Sequence, residues 1–331
     1  LATVPGAWEV LPNTVVQMLT SVPNNIPLTV TNPVSGIPSL SGEPISVFRE
    51  RCFTAGLAAS TGMGRYLKTL VGNIPGVQNR LIAVQNDGDK FVVIVGGGDP
   101  YQVANAIWQA DFNFLGLAGA TIYIDGISNT NPIVITTTNN HNLVTGDVEL
   151  ITGVQGGMSN LNTNTYTITK ISDQTFSIPV DGTVMGTYVS GGIVSPNPIN
   201  QYVSISDFPD TYVIPYVIPP QEVVDIVVTW ETDSPNFISP DAIAQAAVPE
   251  IIDYINSLPA GTTPINLNVL NKVFLDSVAD ILVGEYIIDL TFSISINGVG
   301  RTPQAGTQVI FGDPYSYFYT QNGQITIIRI L

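Results

Sequence analysis

Apolar and polar positions change their spacing several times along the 331 residues. Residues 1–45 alternate short apolar pieces with Pro, Asn and Thr, which predicts extended segments and loops without a helix. From Glu43-Pro44 the spacing turns helical through Val47, Phe48, Arg51 and Cys52, until Gly62 and Gly64 break it. A second short helix is predicted over about Arg65–Val71. Strands follow at Arg80–Gln85 and Phe91–Val95, joined by an Asp87-Gly88 turn whose residues tolerate positive φ. Asp99 then caps a helix with Pro100 at its first position and Val103, Ala104, Ile107 and Trp108 on one face.

Residues 129–197 are rich in Thr, Asn, Gly and Val and alternate with period two, as in Tyr166–Thr169 and Thr175–Ile178. They predict a small all-β module of short strands. Beyond Pro198 longer elements return. Val223–Trp230 reads as an apolar strand. Ser239-Pro240-Asp241 repeats the capped-Pro device and opens a helix to about Leu258, interrupted or kinked at Pro249. Asn268–Ile281 reads as a helix. Tyr286–Ile296 reads as a half-buried strand with Ile288, Leu290, Phe292, Ile294 and Ile296 on one face. Asn322-Gly323 predicts a hairpin between Tyr317–Tyr319 and Ile325–Ile330. The fold class expected is α+β: two α/β lobes, hinted at by the repeated strand, capped Pro and helix, with an inserted all-β domain. The expected divisions are 1–128, 129–197 and 198–331.

Charge sharpens this division. The net charge is −16, carried as −2, −3 and −11 by the three regions. Nucleic-acid binding through phosphates and docking on anionic lipid are both disfavoured by that sign. No apolar run approaches the ~20 residues of a membrane span. Charged residues are only 11% of the chain against about 25% in ordinary soluble domains, which points to a subunit partly covered by neighbours. The basic stretch Arg49, Arg51, Arg65, Lys68 and Arg80 suits an acidic face on another copy. The single Cys52 excludes an internal disulfide. Residue 1 is Leu and no signal-peptide pattern follows, so the sequence is expected to be part of a longer protein.

Candidate chemistry is sparse. One His and one Cys cannot make a zinc site, and Asp87-Gly88-Asp89 lacks the spaced ligands of a calcium loop. His141 lies in Asn139–Asn142 with no nucleophile elbow, which favours a structural role. Cys52 reads as a buried small hydrophobe. Gly96–Gly98 sits between strand and helix but lacks both phosphate-loop signatures, and Asp99 places negative charge where a phosphate would sit. The acidic residues of the last region single out no carboxylate pair. No catalytic residue, cofactor or metal is expected.

Val30-Thr31-Asn32-Pro33, Gly42-Glu43-Pro44, Phe48–Arg51, Gly62–Gly64, Ile74–Val77 and Gly97–Tyr101, in that order, resemble the baseplate J-like family of contractile phage tails. His141–Leu143, Thr145–Asp147, Ile151–Val154, Tyr166–Ile168, Thr175–Ser177 and Gly191-Gly192 resemble the β-module named after the first catalytic cysteine half-domain of ubiquitin-activating enzymes. The module has no Cys, so no ubiquitin chemistry is expected of it. The first resemblance implies a virion protein made in the bacterial cytoplasm: a baseplate wedge subunit in a multi-copy ring. Its implied partners are its own copies and other wedge and hub proteins, and its implied task is transmitting the tail's shape change. A tail adhesin using residues 129–197 to bind host glycan is the alternative. The apolar, aromatic stretch with Tyr315, Tyr317, Phe318 and Tyr319 is expected either near the contact between copies, together with Arg49 and Arg51, or in the domain's own core, the arginines then lying on solvated helix faces.

Overall fold

In the computed structural model, the residues described are Gly64–Ala110 and Gly116–Ile330, with Asn13 and Thr31. The predicted helix around Val47–Cys52, and with it Arg49, Arg51 and Cys52, lies outside them. The chain divides into two compact units, Leu1–Ala59 and Ser60–Leu331, and all that follows concerns the second.

The second unit is α+β. It opens with α1 (Gly64–Gly72), a single 3₁₀ turn, and the hairpin β1 (Ile82–Asp87) and β2 (Lys90–Val95), paired antiparallel with Asp87 opposite Lys90. Gly88 has φ +66 in the two-residue turn, as a tight hairpin requires. Helix α2 (Pro100–Gln109) starts as its sequence demands: Asp99 Oδ1 accepts from the Gln102 amide at 3.0 Å, and Pro100 needs no donor there. Strand β3 (Leu117–Ala118) runs parallel to β2.

Strands β4 (Ile122–Ile127), β5 (Ile133–Thr137), β6 (Val148–Thr152), β7 (Gln155–Gly156), β8 (Asn164–Thr167), β9 (Thr169–Lys170), β10 (Thr175–Ile178), β11 (Tyr188–Ser190) and β12 (Ile193–Ser195) form the β-module. Seven of them make one nearly closed, barrel-like sheet in the order β8-β6-β12-β4-β5-β10-β9. Its interior holds Ile133, Ile135, Leu143, Met158 and Phe176. Strands β4 and β12 pair at Ile122–Val194 and Tyr123–Ile193, so the module's two ends lie side by side.

The hairpin β13 (Asn200–Asp207) and β14 (Asp210–Val217) returns to the first sheet, in the order β1-β2-β14-β13. Strand pairing therefore does not follow the composition boundaries at 128/129 and 197/198. Residues 122–127 belong to the module, and residues 200–217 complete the first sheet. Composition registers turn-rich sequence, whereas an alternating strand reads the same in either neighbour. Ile205, Ile214 and Tyr216 pack with Val93, Val103 and Ile107 against the two helices.

The second sheet is built on the long strand β15 (Gln221–Thr232), followed by α3 (Pro240–Ser257), β16 (Ile265–Asn266), α4 (Leu267–Val278), β17 (Ile287–Ile296), β18 (Val299–Arg301), β19 (Val309–Ile310), β20 (Tyr317–Tyr319) and β21 (Ile325–Arg329). Val224, Ile226, Val228 and Trp230 alternate inward and meet Ile243, Ile251, Ile255, Leu270 and Phe274 of the helices. Helix α3 continues through Pro249, and Ser239 makes no side-chain cap, unlike Asp99.

Two predicted features differ. Ile288 is exposed, because the register between β15 and β17 shifts after Glu231–Asp289, and one extra residue turns the pleat over. Leu290, Phe292, Ile294 and Ile296 keep the expected face. Asn322-Gly323 is no hairpin turn: β20 and β21 both run parallel to β15, one after the other along the same strand. Residues Asn322–Gln324 form a 3₁₀ turn in which the Gln321 amide and the Gln324 side chain close a capping box, and Gly323 does not use positive φ.

Candidate functional site: a buried carboxylate junction

Three regions meet around Glu222, Asp313 and Tyr315. Glu222 is the second residue of β15 and has the same parity as Val224 and Ile226, so the pleat turns its carboxylate inward; only 3% of it is exposed. Asp313 lies on the loop between β19 and β20 and is 7% exposed. Its amide donates to Glu222 at 3.2 and 3.1 Å. Asn140, on the module's loop after β5, reaches both carboxylates: its amide donates to Asp313 Oδ2 at 2.8 Å and its Nδ2 to Glu222 Oε1 at 3.1 Å. Tyr315 N and Ser316 Oγ donate to Asp313 Oδ1. A Cβ on Gly312 would fall on Glu222 Oε2 and the Phe318 ring, so only glycine lets the backbone approach.

Burial raises the Glu222 carboxyl to about 7. The neighbouring Asp313 charge adds to that rise, against the opposing effects of the Asp313 amide, Arg301 and Asn140. Burial also raises Asp313, with backbone donors from Tyr315 and Asn140 opposing. The Tyr315 hydroxyl is held far above its ordinary value by burial and by Asp87, Asp313 and Tyr123. Those residues come from the first sheet, the second sheet's loop and the module, which locates Tyr315 at their meeting point. Its ring packs with Leu81, Ala83, Ile94 and Val217.

Further polar links tie the module down. Asn297 Nδ2 donates to Asp173 at 3.1 Å, and Asp173 is also paired with Lys170 at 2.9 Å. Tyr123 Oη donates to Asp87 of β1. Asn197 and Asn200 both donate to the Ala120 carbonyl at 3.0 Å, which clamps the entry and exit of the module.

His141 stands beside this junction and is fully buried. Nδ1 accepts from Leu143 N at 3.0 Å and Nε2 faces the Ser172 carbonyl at 3.0 Å, which fits the neutral tautomer with the proton on Nε2. The ring meets Phe176 edge-on, and burial lowers its pKa. It is a structural turn histidine. Glu149, inside the module, is raised to about 7 by burial and by Asp147, and its Oε2 has no hydrogen-bond partner.

The arrangement joins the module to the second sheet through hydrogen bonds. Its carboxyls are enclosed and spoken for by amide donors, and neither of the cavities along α3 and along β14 is lined by them. Among the described residues, no group of three or more His, Cys, Asp or Glu side chains is placed to hold a metal. No helix among them is long and apolar enough to cross a membrane.

The residues expected near a contact between copies are placed otherwise. Tyr315 and Phe318 are buried in the chain's own cores, and the Tyr317 ring carries the Arg80 guanidinium at 5.1 Å. Tyr319 is half-buried opposite Val223. Aromatic density here marks a strand whose Phe318 faces the core while it pairs with the first residues of β15, Gln221–Val223. Sequence reasoning missed Glu222, Asp313 and Asn140; the available signal was a carboxylate at a core-parity position of an apolar strand.

A family model, the ubiquitin-activating enzyme E1 FCCH domain, matches residues 129–196, about a fifth of the chain. No curated protein matches the chain. This corrects the assignment to the baseplate J-like family: the matching family is a different one, confined to the module. The described motifs behind that assignment are local turn chemistry. Gly76 and Gly97 have φ of +86 and +89 and pack backbone to backbone, and Asp99-Pro100 is a helix start. Such devices recur wherever a strand turns into a helix.

Proposed function

We propose that the protein is a structural, non-enzymatic subunit of a multi-copy assembly, and that a contractile phage-tail baseplate is the assembly to test first. In this reading the second unit consists of two α/β lobes, one on each large sheet, that carry the module as a fixed insertion. The observation that carries it is the junction: Glu222, Asp313 and Asn140 sit in one buried hydrogen-bonded cluster that fixes the module to the sheet behind it. A projection that transmits force needs such an anchor. A charged fraction of 11% also suits a surface covered by neighbours. The enzyme chemistry in the matched family's description is not transferred, since the module has no cysteine.

The test is the mass and composition of particles that co-purify with the tagged full chain from the cell that encodes it. Several copies in a tail-containing particle are expected. A chain recovered alone, or module-dependent retention on a glycan array, would overturn the proposal.

A further inference from the structure

The junction encloses two carboxyls without a paired cation. Glu222 and Asp313 are both buried, and the Asp313 amide lies against the Glu222 carboxylate. Among the described residues, no Lys or Arg is within ion-pair distance of either; Lys170 nearby is paired with Asp173. Arg301 on β18 acts on Glu222 from further off, and its Nε has no hydrogen-bond partner. Two enclosed carboxylates without a paired cation are costly to ionise together, so one of them keeps its proton. The donors decide which. Asp313 accepts from the Asn140 and Tyr315 amides and from the Ser316 hydroxyl. Glu222 accepts only from Asn140 Nδ2 and the Asp313 amide, and its Oε2 lies beside Gly312 and the Phe318 ring. Fewer donors leave Glu222 the protonated member, in line with its rise to about 7.

The same bonds hold the module to the second sheet. On the module's side one residue carries them, Asn140, on a loop outside the strand ladders. The module's entry and exit are clamped separately, by Asn197 and Asn200 on the Ala120 carbonyl, with no carboxyl involved. A second negative charge in the cluster therefore strains one loop's attachment and spares the clamp. The other groups that face the cluster come from both sides. From the module, Asp173 adds like charge to Asp313, and His141 stands beside it, held neutral by burial. From the second sheet, Arg301 favours the ionised Glu222. The Tyr315 hydroxyl is held far above its ordinary value and stays neutral.

We propose that the junction is a pH-sensitive latch: when its second carboxyl ionises, the Asn140 loop parts from Glu222 and Asp313, while the module stays folded and clamped at Ala120. The closed state holds a proton that the open, hydrated state releases. The latch is therefore tightest below about pH 4.5, loosens as pH rises toward 7, and loosens no further above it. Asp313, raised as well, adds in the same direction. The inference goes beyond the assembly reading and does not rest on which assembly holds the chain.

The test is amide exchange on the full chain across about pH 5 to 8, each rate corrected for the pH dependence of intrinsic exchange. Protection of the Asn140 and Asp313 amides is expected to fall about tenfold per pH unit up to about 6.5, as one proton leaves on opening, and then to level off. The amides of Ile135 and Val227, in the middle of paired strands, are expected to stay more protected at every pH. Glu222→Gln should remove most of the dependence, and Glu149→Gln, inside the module, should leave it in place. His141 cannot mimic it, because its protonation weakens the module as pH falls, the opposite sign. A thermal melt checks the fold of each variant, and the series on the unaltered chain decides without them. Protection at the two amides that stays flat across the series overturns the inference. So does protection equal to that of Ile135 and Val227, since the junction would then open only with global unfolding. A rise in protection with pH, which would mean that Arg301 closes on Glu222, or a dependence that survives Glu222→Gln, overturns it too. None of these results bears on the mass of the co-purified particle, so the assembly reading fails or stands separately.

Discussion

The module encloses Phe176 with strands of two to six residues, while the second sheet encloses Trp230 along a strand of twelve. In the module the chain reverses at Asn142, Gly146, Gly153, Gly156, Thr163, Gly191 and Gly192, all at positive φ. Side chains finish those turns: Asn162 bridges the amide and carbonyl of Val154 at 2.8 Å, and Asp147 accepts from Val144 N. The second sheet uses few such devices and relies on two helices laid over alternating apolar strands. Order in one region is held by many local polar bonds, and in the other by burial between segments far apart in sequence. Where they meet, the fastening is a pair of enclosed carboxyls, which neither mode of packing requires.

The comparison breaks if the two regions do not fail separately. Trp230→Ala is expected to cost about 3–5 kcal/mol by denaturant unfolding, as for other large aromatic truncations. Amide exchange should show the loss in the second sheet, with the module's β4 and β5 still protected. Equal loss in both regions would show that they unfold as one.

The junction sharpens the comparison through pH. Glu222 is raised from 4.5 to about 7, so the folded state holds a proton that the unfolded state releases. Its contribution to stability is complete below about pH 4.5, declines as pH rises to about 7, and is then flat, by up to about 3 kcal/mol. Glu222→Gln should remove that slope from a melting series. Glu149→Gln should remove a slope of the same sign from inside the module. His141 acts oppositely. Its pKa is lowered, so its contribution is present above about 6.5 and lost as pH falls through the folded value. His141→Ala should cost about 1–3 kcal/mol, for the stranded Leu143 amide and Ser172 carbonyl, and should do so in the module alone. The smallest effect is expected at Gly323→Ala, within about 0.5 kcal/mol, because a Cβ there meets open space. A large loss would mean that the turn between β20 and β21 is more constrained than its backbone indicates.

Elements with a strong local cause were readable from residues alone. Asp99-Pro100 set the start of α2, Asp87-Gly88 set the first hairpin, and the alternation of Val224–Trp230 set the core face of β15. What escaped depended on distant partners. The Asn322-Gly323 dipeptide suits a hairpin, yet β15 offers a free side along its length and draws β20 and β21 into parallel pairing instead. The bulge at Ile288 depends on β15, not on its own neighbours. The junction was hidden for the same reason: Asn140, Glu222 and Asp313 stand 82 to 173 positions apart and meet only through three separate elements. Tyr315 and Phe318 could be read as interface anchors or as core, and the structure places them in the core, because composition carries no record of which side of a sheet is covered.

The pairing of β21 with β15 also sets an order in time. Ile226 waits for Ile325, about a hundred residues later, before the centre of the second sheet gains its neighbour on that side. The module's last pairing, Ser195 with Leu150, is available long before. During synthesis, which proceeds from the N-terminal side, the barrel-like module can close while β15 still presents bare backbone and a row of Val and Ile side chains. The growing chain thus passes through a stage with a finished module beside an unfinished, adhesive sheet, and in that interval a chaperone or a neighbouring nascent chain has its best access to β15.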